Sequence, residues 1–263
     1  MSTHSVRRTG LVPVVAPPVI ALVAVLGLWQ LASALGWVPE DMLPTPTRIL
    51  DQAWLNREAL ASNTWPTLRA TVLGFVLSVV VALLVASLID FFVVIRRALL
   101  PILIVSQTIP LIALAPLMVL WFGFGLLPKI LLVAFVTFFP MVVSLLQGFG
   151  SADPDAERLL RTMGASRWQV FASIRFHAAM PYFFGGMRVS ITYAVVSAIF
   201  AEYAGATSGL GVYMLAAKNA FRTDLVLAAV VISSLLTLVL FAVVALIGRI
   251  TLPWVRIEQG KER

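Results

Sequence analysis

Charge is scarce in this chain. Only 12% of its 263 residues are charged, whereas 60% are hydrophobic. Soluble domains carry nearer a quarter charged residues. The apolar residues are gathered into long runs, so the solvent for much of the chain is lipid. Cysteine is absent, which excludes disulfides and thiolate metal sites without identifying a redox compartment. The only histidines are His4 and His177, too far apart to form a metal constellation. His177 reads as a loop contact. No Gly-rich Gly-Lys-Ser/Thr loop is present, so the chain has no phosphate cradle for ATP chemistry, and no cofactor is expected in it. A Ser/His pair, paired membrane aspartates and a His-Glu-x-x-His motif are also missing, which removes the basis for an intramembrane enzyme.

What is present is a set of long apolar segments. A spanning helix needs about 20 mainly apolar residues, and six stretches qualify, at roughly 11–35, 68–89, 99–122, 127–148, 183–203 and 226–250. They are too long and too uniformly apolar for barrel strands. The expected fold is therefore an all-α integral membrane protein with about six transmembrane helices. Arg7 and Arg8 precede the first run as they would in a signal peptide, but 11–35 is too long for a cleaved segment and is expected to stay. Pro101, Pro110, Pro116, Pro128 and Pro140 crowd the third and fourth runs. They fit either kinked packing or a role in a pathway.

The net charge of +7 would first suggest nucleic acid. Here the basic residues sit at the ends of apolar runs, where they set topology instead. With the N-terminus inside, the inner segments hold thirteen basic residues: Arg7, Arg8, Arg96, Arg97, Arg158, Arg161, Arg167, Arg175, Arg188, Arg249, Arg256, Lys261 and Arg263. The outer segments hold six: Arg48, Arg57, Arg69, Lys129, Lys218 and Arg222. Both termini are therefore expected on the cytoplasmic side, in a multi-pass protein of the cytoplasmic membrane. The expected division is a tail at 1–10, a transmembrane domain at 11–250 and a tail at 251–263. The segments 36–67 and 204–225 lie outside and 149–182 inside. Within 36–67, Thr47 to Leu60 has a mixed pattern that suits an interfacial or external helix.

The inner segment 149–182 carries the strongest signal. Asp153 can cap a helix that has Pro154 at its first position, and Asp155 and Glu157 occupy its first turn, where acids suit the helix dipole. Gly164 ends it. Ser166 and Gln169 then form a capping box for a second helix, which Pro181 is expected to close. Leu159, Leu160, Met163, Trp168 and Phe171 stand among arginines on this loop. Such a pattern fits a docking surface, or else a helix pair lying flat on the membrane.

Polar residues within the spans are candidates for a solute path. Gln107 and Thr108 precede Pro110, and Glu202 and Tyr203 end the fifth run. Ser190, Thr192 and Ser197 lie on that same run, and Ser233, Ser234 and Thr237 on the sixth. A serine in a span often bonds only its own backbone, and Glu202 suits a cap or interface contact equally well. Tyr193, Trp121 and Phe122 can face a planar ring or form an interfacial belt, and the belt is favoured for Trp121 and Phe122.

The segment Gly164-Ala165-Ser166-Arg167-Trp168 before the penultimate span resembles the coupling loop of binding-protein-dependent ABC importer permeases. The resemblance extends over nearly the whole chain. It includes Leu43-Pro44-Thr45-Pro46, the stretch from Ile109 to Pro116, Leu120-Trp121-Phe122-Gly123, Pro128-Lys129, Phe139-Pro140, and Ala201-Glu202-Tyr203 followed by Gly209-Leu210-Gly211. Together these are similar to the nitrate/sulfonate/taurine branch, and within it to permeases for thiamine-precursor pyrimidines and riboflavin-like compounds. The motif departs from the family pattern in places. Arg158 stands where a Glu is expected, with Glu157 one residue early. Leu159 and Leu160 replace two alanines, and Phe176-His177 occupies the Leu-Pro position.

The resemblance implies a type I ABC importer permease fold that acts as a dimer, expected to be a homodimer. A cytoplasmic ABC ATPase dimer would bind ATP and Mg and dock on the coupling loops. An extracytoplasmic solute-binding protein would deliver the solute from the other side. Coupling would then fall to Glu157, Arg158, Leu159, Leu160, Met163, Gly164, Ala165, Ser166 and Trp168. The path would be lined by Gln107, Thr108, Tyr193, Ser197, Glu202 and Tyr203. Few arginines are placed near such a path, which favours a neutral heteroaromatic solute over a sulfonate-type anion. A secondary transporter is the remaining rival, and a docking loop argues against it because a secondary transporter has no ATPase to engage.

Overall fold

The computed structural model describes residues 12–253. The expected tail 1–10 and residues 254–263 of the other tail lie outside them, and so do Arg7, Arg8, Arg256, Lys261 and Arg263. The described residues form helices and no strand. In order these are α1 (Val12–Ala34), α2 (Pro46–Leu55), α3 (Arg57–Phe91), α4 (Val93–Ser106), α5 (Leu111–Phe122) and α6 (Leu126–Gly150). There follow α7 (Pro154–Thr162), α8 (Arg167–Val170), a π-helical turn (Phe171–Arg175), α9 (Phe176–Tyr203), α10 (Leu210–Asn219) and α11 (Thr223–Thr251).

Among the described residues, four helices are long and apolar enough to cross a membrane: Arg57–Phe91, Leu126–Gly150, Arg167–Tyr203 and Thr223–Thr251. The third expected span is not one helix. It is broken into α4 and α5, which meet at 104° and would make a fifth crossing if taken together. The break follows from Pro110, which has no N–H to continue the ladder and disfavours helical geometry at Ile109. α1 has 23 residues, Val12–Ala34, within the length of a spanning helix.

α6 is the centre of the bundle, packed between α3 and α9. Small residues allow the helix backbones to approach closely. A side chain on Gly148 would come within 2.6 Å of the Ala179 Cα, and one on Gly74 within 2.6 Å of the Val133 Cβ. Ser190 Oγ adds a bond from α9 to the Thr137 carbonyl of α6 at 2.8 Å. The interior is built from Met141, Val142, Leu145, Ala179, Ile191 and Ala194, all buried. The outer surface carries leucines and valines such as Val76, Leu84, Leu238 and Val239, each about half exposed, as a lipid-facing surface requires.

Before α3, Thr45 caps α2 by accepting the Arg48 N–H at 3.3 Å, with Pro46 at the first position. This is the extra helix anticipated in the outer segment. Ser33 Oγ of α1 bonds the Leu43 carbonyl at 2.9 Å, which ties the first helix to this region.

Pro181 does not close the second loop helix as expected. The helix runs on from α8 through the π turn and into α9, 37 residues in all from Arg167 to Tyr203. One missing N–H costs a single backbone bond. Ending a helix here would strand several N–H and C=O groups at the edge of lipid, which offers them no partner.

Candidate functional site

The loop between α6 and α9 is organised by its own sequence. Asp153 Oδ1 accepts the Asp155 N–H at 2.9 Å and starts α7. Gly164 takes a φ of 86°, a left-handed conformation suited to glycine. The Ala165 N–H then closes back on the Leu160 carbonyl at 3.0 Å. The Ser166–Gln169 capping box is complete: Gln169 Oε1 accepts the Ser166 N–H at 2.7 Å, and Ser166 Oγ accepts the Gln169 N–H at 3.3 Å. Ser166→Ala should cost about 1 kcal/mol of local stability and raise amide exchange at Gln169 roughly fivefold in a hydrogen-exchange measurement. Unchanged exchange would show that the box does not hold the turn.

The loop presents apolar side chains. Leu159, Met163 and Trp168 are 62%, 74% and 65% exposed, while Leu160 and Ala165 are half-buried. Arg158 is exposed and pairs with Asp155 at 3.1 Å. Behind this face the loop is pinned to the bundle. Arg175 donates to Asp90 of α3 at 2.7 Å, pairs with Glu157 of α7 at 3.2 Å, and reaches the Phe149 carbonyl at 3.4 Å. An aromatic cluster reinforces the attachment. The Phe171 ring lies 4.7 Å from Phe91, 5.3 Å from Phe149 and 5.7 Å from Trp168. His177 Nδ1 sits 2.9 Å from the Ala172 carbonyl, a contact within its own helix region.

A second polar node closes the opposite end of the bundle. Glu202 is 1% exposed. Its Oε1 accepts from Thr67 Oγ1 at 2.8 Å and its Oε2 from the Gly211 N–H at 2.8 Å. Lys129 Nζ lies 3.9 Å from Oε1 and donates to the Ser208 carbonyl at 3.2 Å. Thr67 in turn accepts the Leu210 N–H at 2.9 Å, and Asn63 Oδ1 accepts that of Gly209 at 3.0 Å. Four helices, α3, α6, α9 and α10, therefore meet at one carboxylate.

The expected path residues fall in different places. Gln107 and Thr108 are exposed at the break between α4 and α5, where Thr108 Oγ1 bonds the Val105 carbonyl at 2.8 Å. Tyr193 is 53% exposed on α9. Ser197 is buried and bonds its own helix at the Tyr193 carbonyl, 2.9 Å away. Tyr203 is partly exposed, with its hydroxyl 3.5 Å from the Met214 sulfur. The structure leaves Leu159, Met163 and Trp168 exposed, turns Glu157 back to Arg175 and sets Glu202 and Tyr203 at one end of α9, without bringing Gln107 and Thr108 into the Glu202 node. Sequence reading missed Asp90, Thr67 and the pairing roles of Arg175 and Lys129. Their signal was positional: charges of opposite sign at the ends of neighbouring antiparallel spans.

The model of the family described as "binding-protein-dependent transport system inner membrane component" matches residues 78–256. The chain is 33% identical over 238 residues to the formylaminopyrimidine transport permease protein ThiX of Halalkalibacterium halodurans, covering 90% of this chain and 95% of that one. It is 32% identical over 237 residues to the riboflavin transport system permease protein RibX of Chloroflexus aurantiacus, covering 89% and 88%. It is 28% identical over 240 residues to the taurine transport system permease protein TauC of Escherichia coli, covering 89% and 87%. A crystal structure of an amino acid ABC transporter with histidines shares the fold, with a TM-score of 0.62 at 16% identity over 75% of this chain and 96% of that one. The chain therefore belongs to the family of binding-protein-dependent transport system inner membrane components.

Proposed function

We propose that the chain is the permease subunit of an ABC importer for a small ring-containing solute, such as a vitamin-precursor pyrimidine or a riboflavin-like compound. Two copies form the path. Each docks a cytoplasmic ATPase on α7 and α8, and a solute-binding protein delivers from the outer face. Both termini lie on the cytoplasmic side. The single observation that carries this reading is the capped loop whose Leu159, Met163 and Trp168 face outward while Arg175 fixes its back to α3 and α7. ATP binds on the partner, and its differential affinity for two arrangements of the dimer moves the loop and, through the Arg175 tie, the spans. The ring-containing class is supported by the functions of the pyrimidine and riboflavin relatives. A second reading, a small sulfonate- or nitrate-type anion, is supported by the taurine relative and by an arginine on α9 considered below.

The test is co-expression with the partner ATPase in membranes and recovery of the complex. Leu159→Asp with Met163→Asp should reduce ATPase recovery about tenfold while insertion of the chain is unchanged, because the apolar contact is replaced by buried unpaired charge. Equal recovery and equal ATP hydrolysis in wild type and variant would sink the docking assignment.

A further inference from the structure

Two charged layers mark the ends of the bundle. Asp90, Arg175 and Glu157 form one and Glu202, Lys129 and Thr67 the other. Along α6, Lys129 and Phe149 are separated by about 30 Å at the helical rise, the thickness of a bilayer core. Arg188 of α9 lies almost midway, 13 residues from Arg175 and 14 from Glu202 along the helix. The inside count of basic residues is therefore twelve once Arg188 is removed from the thirteen.

Arg188 is exposed and has no ion pair or hydrogen bond to any described residue. It shares its helix face with Gly185, Thr192 and Val196, all exposed, and Tyr193 lies beside them. Arg188 borders the buried face of α9: Ile191 and Val195, three and seven residues on, are buried with Met187, Ala194 and Ala198, whereas Gly185, Thr192 and Val196 on its other side are exposed. A guanidinium cannot reach a headgroup from this depth by extending its own side chain, and an unpaired charge in hydrocarbon is expensive. Among the described residues no acid lies at the same level, since Asp90 and Glu202 sit in the end layers. The described residues supply no counter-charge at this level, and a bound anionic solute would.

We propose that the Arg188 face of α9 lines a water-filled path and that Arg188 binds an anionic oxygen group of the transported solute, a carboxylate, sulfonate or phosphate. The inference rests on reading the chain as a permease. The guanidinium supplies paired N–H donors for such a group, and Tyr193 offers a ring face for an attached heterocycle. This narrows the solute class, and it departs from the expectation of a neutral ligand, which did not place Arg188 near the path.

The absence of cysteine makes a direct test available. Thr192→Cys is introduced into the full transporter in lipid nanodiscs, with ATPase, binding protein and ATP–Mg, and treated with membrane-impermeant thiosulfonate reagents. The expected result is modification by both an anionic and a cationic reagent, with the anionic one about tenfold faster. That preference should vanish with Arg188→Gln and persist with Arg188→Lys. No modification by either reagent would show a lipid-facing or dry surface and overturn the proposal. Modification without a charge preference, or a preference that survives Arg188→Gln, would overturn the anion assignment. Recovery of the ATPase with each variant is read alongside, so failure of the permease reading is told apart from failure of the Arg188 site.

Discussion

Glu202→Ala is expected to lower the thermal midpoint of the purified complex by about 10 °C. The carboxylate is buried and serves three partners at once, Thr67 Oγ1, the Gly211 N–H and Lys129 Nζ. Removing it leaves a lysine that is 7% exposed without a counter-charge and the Gly211 N–H without an acceptor, while the Thr67 hydroxyl keeps the Asn63 carbonyl at 3.2 Å. Breaking a buried pair from one side costs about 3–5 kcal/mol, and each kcal/mol shifts the midpoint of a chain this size by about 2–4 °C. Glu202→Gln keeps a carbonyl oxygen for the Gly211 N–H and removes only the charge, so it should lose about half as much. A midpoint for Glu202→Ala within 2 °C of wild type, by thermal unfolding of the complex, would show that the node does not hold α10 against α3 and α9.

Arg175→Ala acts at the other end and should separate docking from work. The exposed face of Leu159, Met163 and Trp168 is untouched, so the ATPase should still bind. What is lost is the link between Glu157 of the loop and Asp90 of α3. The three side chains are only partly buried, so the full cost of breaking a buried pair is discounted to about 2 kcal/mol, or roughly thirtyfold in the coupling equilibrium. The expected observation is near-normal ATPase recovery with the stimulation of ATP hydrolysis by the binding protein reduced about thirtyfold. Arg175→Lys retains charge but not the two-sided reach and should fall between. Full stimulation in Arg175→Ala would show that motion reaches the spans by another route, the aromatic cluster around Phe171 being the next to remove.

The parts of the fold governed by local chemistry were legible in the residue order. The Asp153 cap, the Gly164 turn and the Ser166–Gln169 box depend on neighbours within four positions, and each appears where those neighbours place it. The apolar runs gave the long helices for the same reason, since lipid forces every backbone group to pair within its own segment. Two boundaries were misjudged because prolines have different outcomes at different sites. Pro110 breaks its span, with Ile109 before it driven out of helical geometry, whereas Pro181 is absorbed in a continuous helix preceded by the π turn. The polar nodes were not legible. Glu202 meets Thr67 across 135 positions and Arg175 meets Asp90 across 85, and no local pattern encodes such pairings. Arg188 was counted with the inner segments although it lies within the 183–203 run, and the continuous helix from Arg167 to Tyr203 sets it near its middle.

The 37-residue helix from Arg167 to Tyr203 is fastened to α6 at three levels, where Ala179 meets Gly148, where Ser190 bonds Thr137 and where Glu202 faces Lys129. A beam bolted at three points has no free pivot. A load on one end of it is therefore carried to the other by α9 and α6 together, as one stiff strut rather than as a hinge.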